Sequence, residues 1–181
     1  MLLLLLLLAT LLSCAGFELW LDVRNGLPGS IPGAQDLFDR KLGTELLVTE
    51  QHQIVDETGA ITGAVIQARA SDRSSGGSLN DFVSDEALSL IGSVRWLMVE
   101  DSGGSPMLTA ENLLAVAEGT PTHIAMRCSE ACEVGGLAFA LSRGVDALVV
   151  PAASLLTSDA ADEDEDGSAA AALLEALAIA K

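Results

Sequence analysis

Charged residues close several apolar runs in this sequence, and their types are those that proton transfer and anion binding require. Asp22 and Arg24 follow the run from Phe17 to Leu21. Glu100 and Asp101 follow the run from Val94 to Val99, and Arg127 stands near the end of the run from Thr122 to Cys128. A carboxylate in such a place can act as a base, and a guanidinium can clamp a carboxylate through two parallel N–H bonds. The plain alternative for each is a solvated loop charge. A parallel sheet would collect residues so far apart in sequence, because its chemistry gathers at the carboxyl ends of the strands.

The elements that would do this are marked by changes of period. From Ser93 to Pro151 the chain reads strand, helix, strand, helix, strand. A strand from Val94 runs into Glu100, a helix spans Leu108 to Glu118 and stops at Gly119, and a strand covers Thr122 to Cys128. A second helix spans Ser129 to Arg143 and closes at Gly144, and a third strand, Val145 to Val150, is halted by Pro151. Parallel neighbours need such crossovers because a tight turn cannot link them. Upstream, Phe17 to Val23 predicts a strand, Ala34 to Leu42 a weak helix and Glu45 to Thr49 a strand. Ile54-Val55 and Ile61 to Ala68 are β-prone around the turn residues Asp56 to Gly59, where a hairpin competes with a crossover. Leu79 to Ile91 predicts an amphipathic helix capped at Ser84 or Ser78, and Ser168 to Ala180 a final Ala/Leu helix. The expected architecture is α/β, with a mainly parallel sheet and crossover helices; an incomplete barrel is one form it can take.

Composition narrows the function classes. The chain has 181 residues, enough for one domain with a sizeable core. Half of the residues are hydrophobic but only 3% are aromatic, so Leu, Val, Ile and Ala must build that core. A net charge of -17 leaves no basic patch for displacing phosphate counterions, which excludes nucleic acid as a partner. The acidic run Asp162 to Asp166 reads as a solvated loop, since it lacks the turn-spaced ligands of a calcium loop. The domain is therefore expected over residues 16–157, the acidic loop over 158–167, and a last helix of the same domain over 168–181.

Other reactive residues form no recognisable constellation. Cys128 and Cys132 read as packed free thiols, since no further Cys or His completes a zinc site. His123 lies inside an apolar strand and reads as a satisfied or strand-end histidine, far in sequence from His52. No dinucleotide fingerprint, P-loop or nucleophile elbow occurs. Ser102 to Ser105 is a flexible turn that could offer amides to a phosphate-bearing ligand at the following helix start.

Met1 to Ala15 reads as a leader. Leu2 to Leu8 is an unbroken leucine run, too short to span a bilayer, and Ser13-Cys14-Ala15 supplies the small residues of a cleavage site. A cleavable signal would send the chain to the secretory pathway or a plastid; without one it is cytoplasmic.

The order of these segments resembles the amino-terminal region of the archaeal-type (type II) 3-dehydroquinate synthases. Phe17 to Asp22 is similar to that family's first strand. Val94 to Glu100 with Pro106 to Ala115, including Glu111-Asn112-Leu113, is similar to its strand and helix start. Glu130-Ala131-Cys132-Glu133 and Arg143 to Pro151, with Gly144-Val145-Asp146-Ala147, are similar to its next helix and strand. The family carries in addition a β-rich carboxyl-terminal half, so the chain is expected to correspond to a truncated form needing a partner chain or a second copy.

The resemblance implies NAD-dependent oxidative deamination and cyclisation of an amino-dideoxy-heptulosonate, on the route to aromatic amino acids. It implies NAD as cofactor and a small-molecule substrate. Catalytic roles would fall to Glu100, Asp101 and Glu111, and substrate contacts to Asp22, Arg24, Asn112 and Arg127. The competing expectation is a non-catalytic α/β scaffold or interaction domain derived from such an enzyme.

Overall fold

Eight short runs rich in Leu, Val, Ile and Trp form the sheet: β1 (Glu18–Asp22), β2 (Arg40–Leu42), β3 (Leu47–Val48), β4 (Gln53–Val55), β5 (Ile61–Gln67), β6 (Trp96–Asp101), β7 (His123–Arg127) and β8 (Ala147–Pro151). The α-helices among the described residues are α1 (Asp85–Leu90), α2 (Pro106–Ala117), α3 (Ala131–Ala138) and α4 (Asp166–Ala180). The computed structural model describes residues 16–25, 34, 36–67, 84–101, 106–156 and 166–181. The leader, the turn at Ser102 to Ser105, the possible cap Ser78 and the acids Asp162 to Glu165 lie outside them. None of the described helices is long and apolar enough to cross a membrane.

The strand order is β2-β1-β8-β7-β6-β5-β4-β3. Every pair from β2 to β5 is parallel; β5-β4 and β4-β3 are antiparallel. The competition around Asp56 to Gly59 is thus resolved as a hairpin, in which Asp56 Oδ1 accepts from the Thr58 and Ala60 N–H groups. The two edge strands, β2 and β3, follow one another across the turn at 43–46, where Leu42 bridges Leu46. The sheet therefore curls into a nearly closed barrel with one unsealed seam.

Strand side chains alternate between faces, and here both faces are apolar. One face meets the helices: Leu19, Leu21, Leu97, Val99, Ile124, Met126, Leu148 and Val150 pack with Leu113, Val134, Leu137, Leu173 and Leu177. The other face fills the barrel with Trp20, Leu42, Ile54, Val65, Trp96, Met98, Ala125, Ala147 and Val149. Trp20 and Trp96 meet edge to face, ring centres 4.7 Å apart, across the small residues Ala125 and Ala147 on the two strands between them.

Gly63 shows how tight that room is. A Cβ there would lie 2.4 Å from the Trp96 carbonyl oxygen and 2.7 Å from the Trp96 Cβ. Gly63→Ala must push β5 away from β6, and overpacking of this kind costs about 1–3 kcal/mol. The expected outcome is a lower urea midpoint with an unchanged slope, followed by tryptophan emission; an unchanged midpoint would refute this packing.

Two element expectations are corrected. Ala34 to Leu42 is not a helix: 36–37 is a turn and Arg40–Leu42 is β2. Asp39 decides this, because its N–H donates to the Leu19 carbonyl and its Oδ2 accepts from the Leu19 N–H, both at 2.7 Å. Pairing with the open edge of β1 satisfies backbone groups that a marginal isolated helix would hold only weakly. The helix expected over Ser129 to Arg143 ends at Ala138 and continues as a 3₁₀ turn, Ala140–Ser142, in which Leu141 and Ser142 have positive φ. Gly144 (φ 76°) completes the reversal; a Cβ there would lie 2.0 Å from the Ala138 carbonyl oxygen. At the other end of the chain, α4 starts at Asp166, two residues before the expected Ser168.

Candidate functional site at the carboxyl rim of the barrel

Three strands deliver charge to the same rim by simple alternation. Asp22 is two residues beyond the interior Trp20, Glu100 two beyond Met98, and Arg127 two beyond Ala125, so each shares its interior neighbour's face. At the end of β6 the register slips: Ile66 pairs with Val99 but Gln67 with Asp101, leaving Glu100 as the extra residue. Bulges of this kind re-aim a side chain at a sheet's end.

The charges meet through Arg24. Its Nε and Nη2 donate to Asp22 Oδ1 and Oδ2 at 2.9 and 2.7 Å, and Nη2 also donates to Glu100 Oε1 at 2.6 Å. Its backbone N–H donates to Asp22 Oδ1 as well. Arg127 Nη1 stands 3.9 Å from Glu100 Oε1, an ion pair but too long for a hydrogen bond. Asp22 is only 6% exposed. Burial pushes its carboxyl up, but the Arg24 hydrogen bonds and the charges of Arg24 and Arg127 outweigh this and hold it below the ordinary value. The Arg24 guanidinium is correspondingly harder to deprotonate, first because of the Asp22 bond and against its own burial.

The groups then divide by availability. Asp22 and Arg24 hold each other. Glu100 has one oxygen engaged, while Oε2 makes no hydrogen bond among the described residues. Arg127 is about one-third exposed and makes no hydrogen bond through its side chain among the described residues, which leaves donors for an incoming anion. A carboxylate with a free oxygen beside an arginine with free donors can bind an acidic ligand and take a proton from it.

The other candidate residues stand differently. Asp101 pairs through its backbone with Gln67, and its side chain lies outside the described residues. Glu111 and Asn112 are half-buried on α2, which returns outside the barrel and packs on β7 and α3. Neither makes a hydrogen bond or ion pair to the rim charges among the described residues, and Asn112 Nδ2 is buried without a partner. Their place in the outer layer follows from the crossover: the helix must cover the outer sheet face to reach the start of β7.

Cys128 is buried and its thiol is pushed up to about 12, chiefly by burial; Cys132 is exposed. Neither is disulfide-bonded. No group of three or more His, Cys, Asp or Glu among the described residues is placed to hold a metal.

The helix starts test the fit of a dinucleotide, whose pyrophosphate needs unoccupied N–H groups. At α1 the first turn carries Asp85 and Glu86, and Ser84 already accepts from the Ala87 N–H. At α3 the Ser129 and Glu130 N–H groups already donate to Glu133 Oε2. These two starts repel a pyrophosphate and do not fit one, and α2 follows directly on residues outside the description.

Spacing did not single out a second cluster, at the opposite rim. Glu18 Oε2 accepts from the Trp20 indole N–H and pairs with Arg40. His123 Nδ1 is 3.3 Å from Asp146 Oδ1, which Arg143 also reaches at 3.2 Å. His123 is thus a strand-end histidine with a partner. Attention to the carboxyl ends of strands passes over these residues; the only available signal was their position just before or at the start of apolar runs. No family model, curated protein or solved structure matches the chain.

Proposed function

We propose that this chain is a type II 3-dehydroquinate synthase-like barrel whose carboxyl rim binds an acidic, sugar-derived substrate. The observation that carries the reading is the convergence of Asp22, Arg24, Glu100 and Arg127, from three separate strand ends, on one mouth. In this reading Arg127 holds the substrate carboxylate. Glu100 takes the proton released during ring closure. Asp22 and Arg24 are positioning residues that fix Glu100. The segment resemblance supplies the reaction, oxidative deamination and cyclisation of an amino-dideoxy-heptulosonate. NAD as hydride acceptor comes from the resemblance alone, and no step is routed through it.

Calorimetry with 3-dehydroquinate, the implied product, tests the reading. Saturable binding is expected, weakened about ten- to hundredfold by Arg127→Met, the scale of a lost charge-assisted hydrogen bond. Binding that ignores Arg127→Met, or no binding at all, overturns it.

One observation favours the alternative, a non-catalytic scaffold: Arg24 is saturated by two carboxylates of its own chain. A rim that neutralises its own charge needs no ligand to be stable. Folded protein that takes up neither 3-dehydroquinate nor NAD is the result that reading expects.

A further inference from the structure

The amino-terminal rim carries a cavity of about 310 Å³, lined by Phe17, Glu18, Arg95, Trp96, His123, Arg143 and Asp146, among others. Its size is that of a small-ligand site. The chain has only six Phe and Trp residues and two His, yet Phe17, Trp96 and His123 all stand here, with the Trp96 and His123 ring centres 4.9 Å apart. The indole N–H of Trp20 has an acceptor in Glu18, whereas that of Trp96 has none among the described residues.

The lining carries two carboxylates, Glu18 and Asp146, and two guanidiniums, Arg95 and Arg143, and both carboxylates are already engaged. Glu18 is matched by Arg40, and Asp146 by Arg143. Arg95 is exposed and makes no ion pair among the described residues. In a chain of net charge -17, a cation left without a partner beside ring-bearing walls suits a ligand that brings its own negative charge. His123 Nδ1 lies 3.3 Å from Asp146 Oδ1, and Nε2 makes no hydrogen bond among the described residues. His123 and Arg95 also line an adjoining cavity of about 380 Å³ with Val94 and Pro121, which gives a ligand room to extend.

We propose that this rim is a second binding site, for a small planar aromatic carboxylate. The carboxylate sits against Arg95, with Arg143 beside it, and the ring lies against the edge of Trp96 and the His123 ring. The site is separated from the carboxyl-rim mouth by the packed interior around Trp20, Val65 and Met98, so the two can fill independently.

The chain has two Trp and no Tyr, so intrinsic emission reports on Trp20 and Trp96, which touch each other and one of which lines the cavity. Titrating the full chain with benzoate is expected to change that emission saturably, with acetate at least about tenfold weaker because it lacks the ring. Arg95→Met should weaken benzoate about tenfold or more, while Arg127→Met at the opposite rim leaves it unchanged. Calorimetry on the same variants gives a readout independent of the fluorophores. Absence of saturation, equal binding of acetate, or benzoate binding that persists in Arg95→Met and falls in Arg127→Met would overturn the proposal.

Discussion

Replacing Arg24 with Met is expected to cost the fold about 3 kcal/mol at neutral pH, in the range found when one partner of a buried ion pair is removed. The cost arises because Asp22, 6% exposed, loses a bidentate partner and keeps its charge, while Glu100 loses its closest cation. The pH dependence gives the sharper test. In the wild type the Asp22 carboxyl is held below its ordinary value of 3.8. Its contribution to stability is therefore full above that value and is lost as pH falls through the lowered folded one. In Arg24→Met burial is opposed only by the backbone N–H of residue 24 and the charge of Arg127, so the folded carboxyl titrates higher than in the wild type. The variant then recovers part of its loss as acid neutralises Asp22. Urea unfolding followed by tryptophan emission at pH 7 and near pH 4 should show the gap between the two proteins narrowing in acid. A constant gap would mean that Asp22 is not charged and dependent on Arg24 in the folded state.

Glu100→Gln separates chemistry from packing. Gln retains an oxygen that can accept from Arg24 Nη2, so stability should change by no more than about 1 kcal/mol. Under the proposed function, turnover of the amino-dideoxy-heptulosonate with NAD should fall about 10²–10⁴-fold, the usual worth of a positioned base. KM should stay nearly unchanged because Arg127 still holds the carboxylate. The assay is run on the chain alone and with a carboxyl-terminal segment of a type II synthase supplied in trans. A Glu100→Gln protein that turns over at the wild-type rate removes Glu100 from the chemistry; a large rise in KM at constant kcat makes it a binding residue instead.

How far the sequence could be read depended on what each residue's placement requires. The strands β6, β7 and β8 were legible because each is an apolar run stopped by a charge, a helix start or Pro151, and nothing long-range is needed to recognise them. Residues 40–42 were not legible as a strand. Their helical spacing was overridden by two hydrogen bonds between Asp39 and the Leu19 backbone, one through the Asp39 N–H and one through its carboxylate, residues 20 apart in sequence. The break of the helix after Ala138 was equally hidden. It depends on Leu141 and Ser142 adopting a left-handed backbone, which local propensity disfavours and surrounding packing must enforce. At the candidate site, strand ends pointed to Asp22, Arg24, Glu100, Asp101 and Arg127, and all but Asp101, whose side chain lies outside the described residues, meet at the rim. Glu111 and Asn112 came from motif likeness alone, and the fold sets them on the outer layer.

By itself the sequence determined the class of architecture, since alternating periods and doubly apolar strands admit little besides a helix-covered parallel sheet. It also determined which residues stand at strand tips, because a tip is a local property. The tertiary structure decided that the sheet curls until β2 and β3 are neighbours, that Arg24 turns back to bridge Asp22 and Glu100, and that Arg95, Trp96 and His123 share a cavity at the far rim. Those outcomes depend on strand order, on the Glu100 bulge and on Trp96 fitting against Gly63. They are contacts between residues far apart along the chain, and only closure of the barrel brings them within reach.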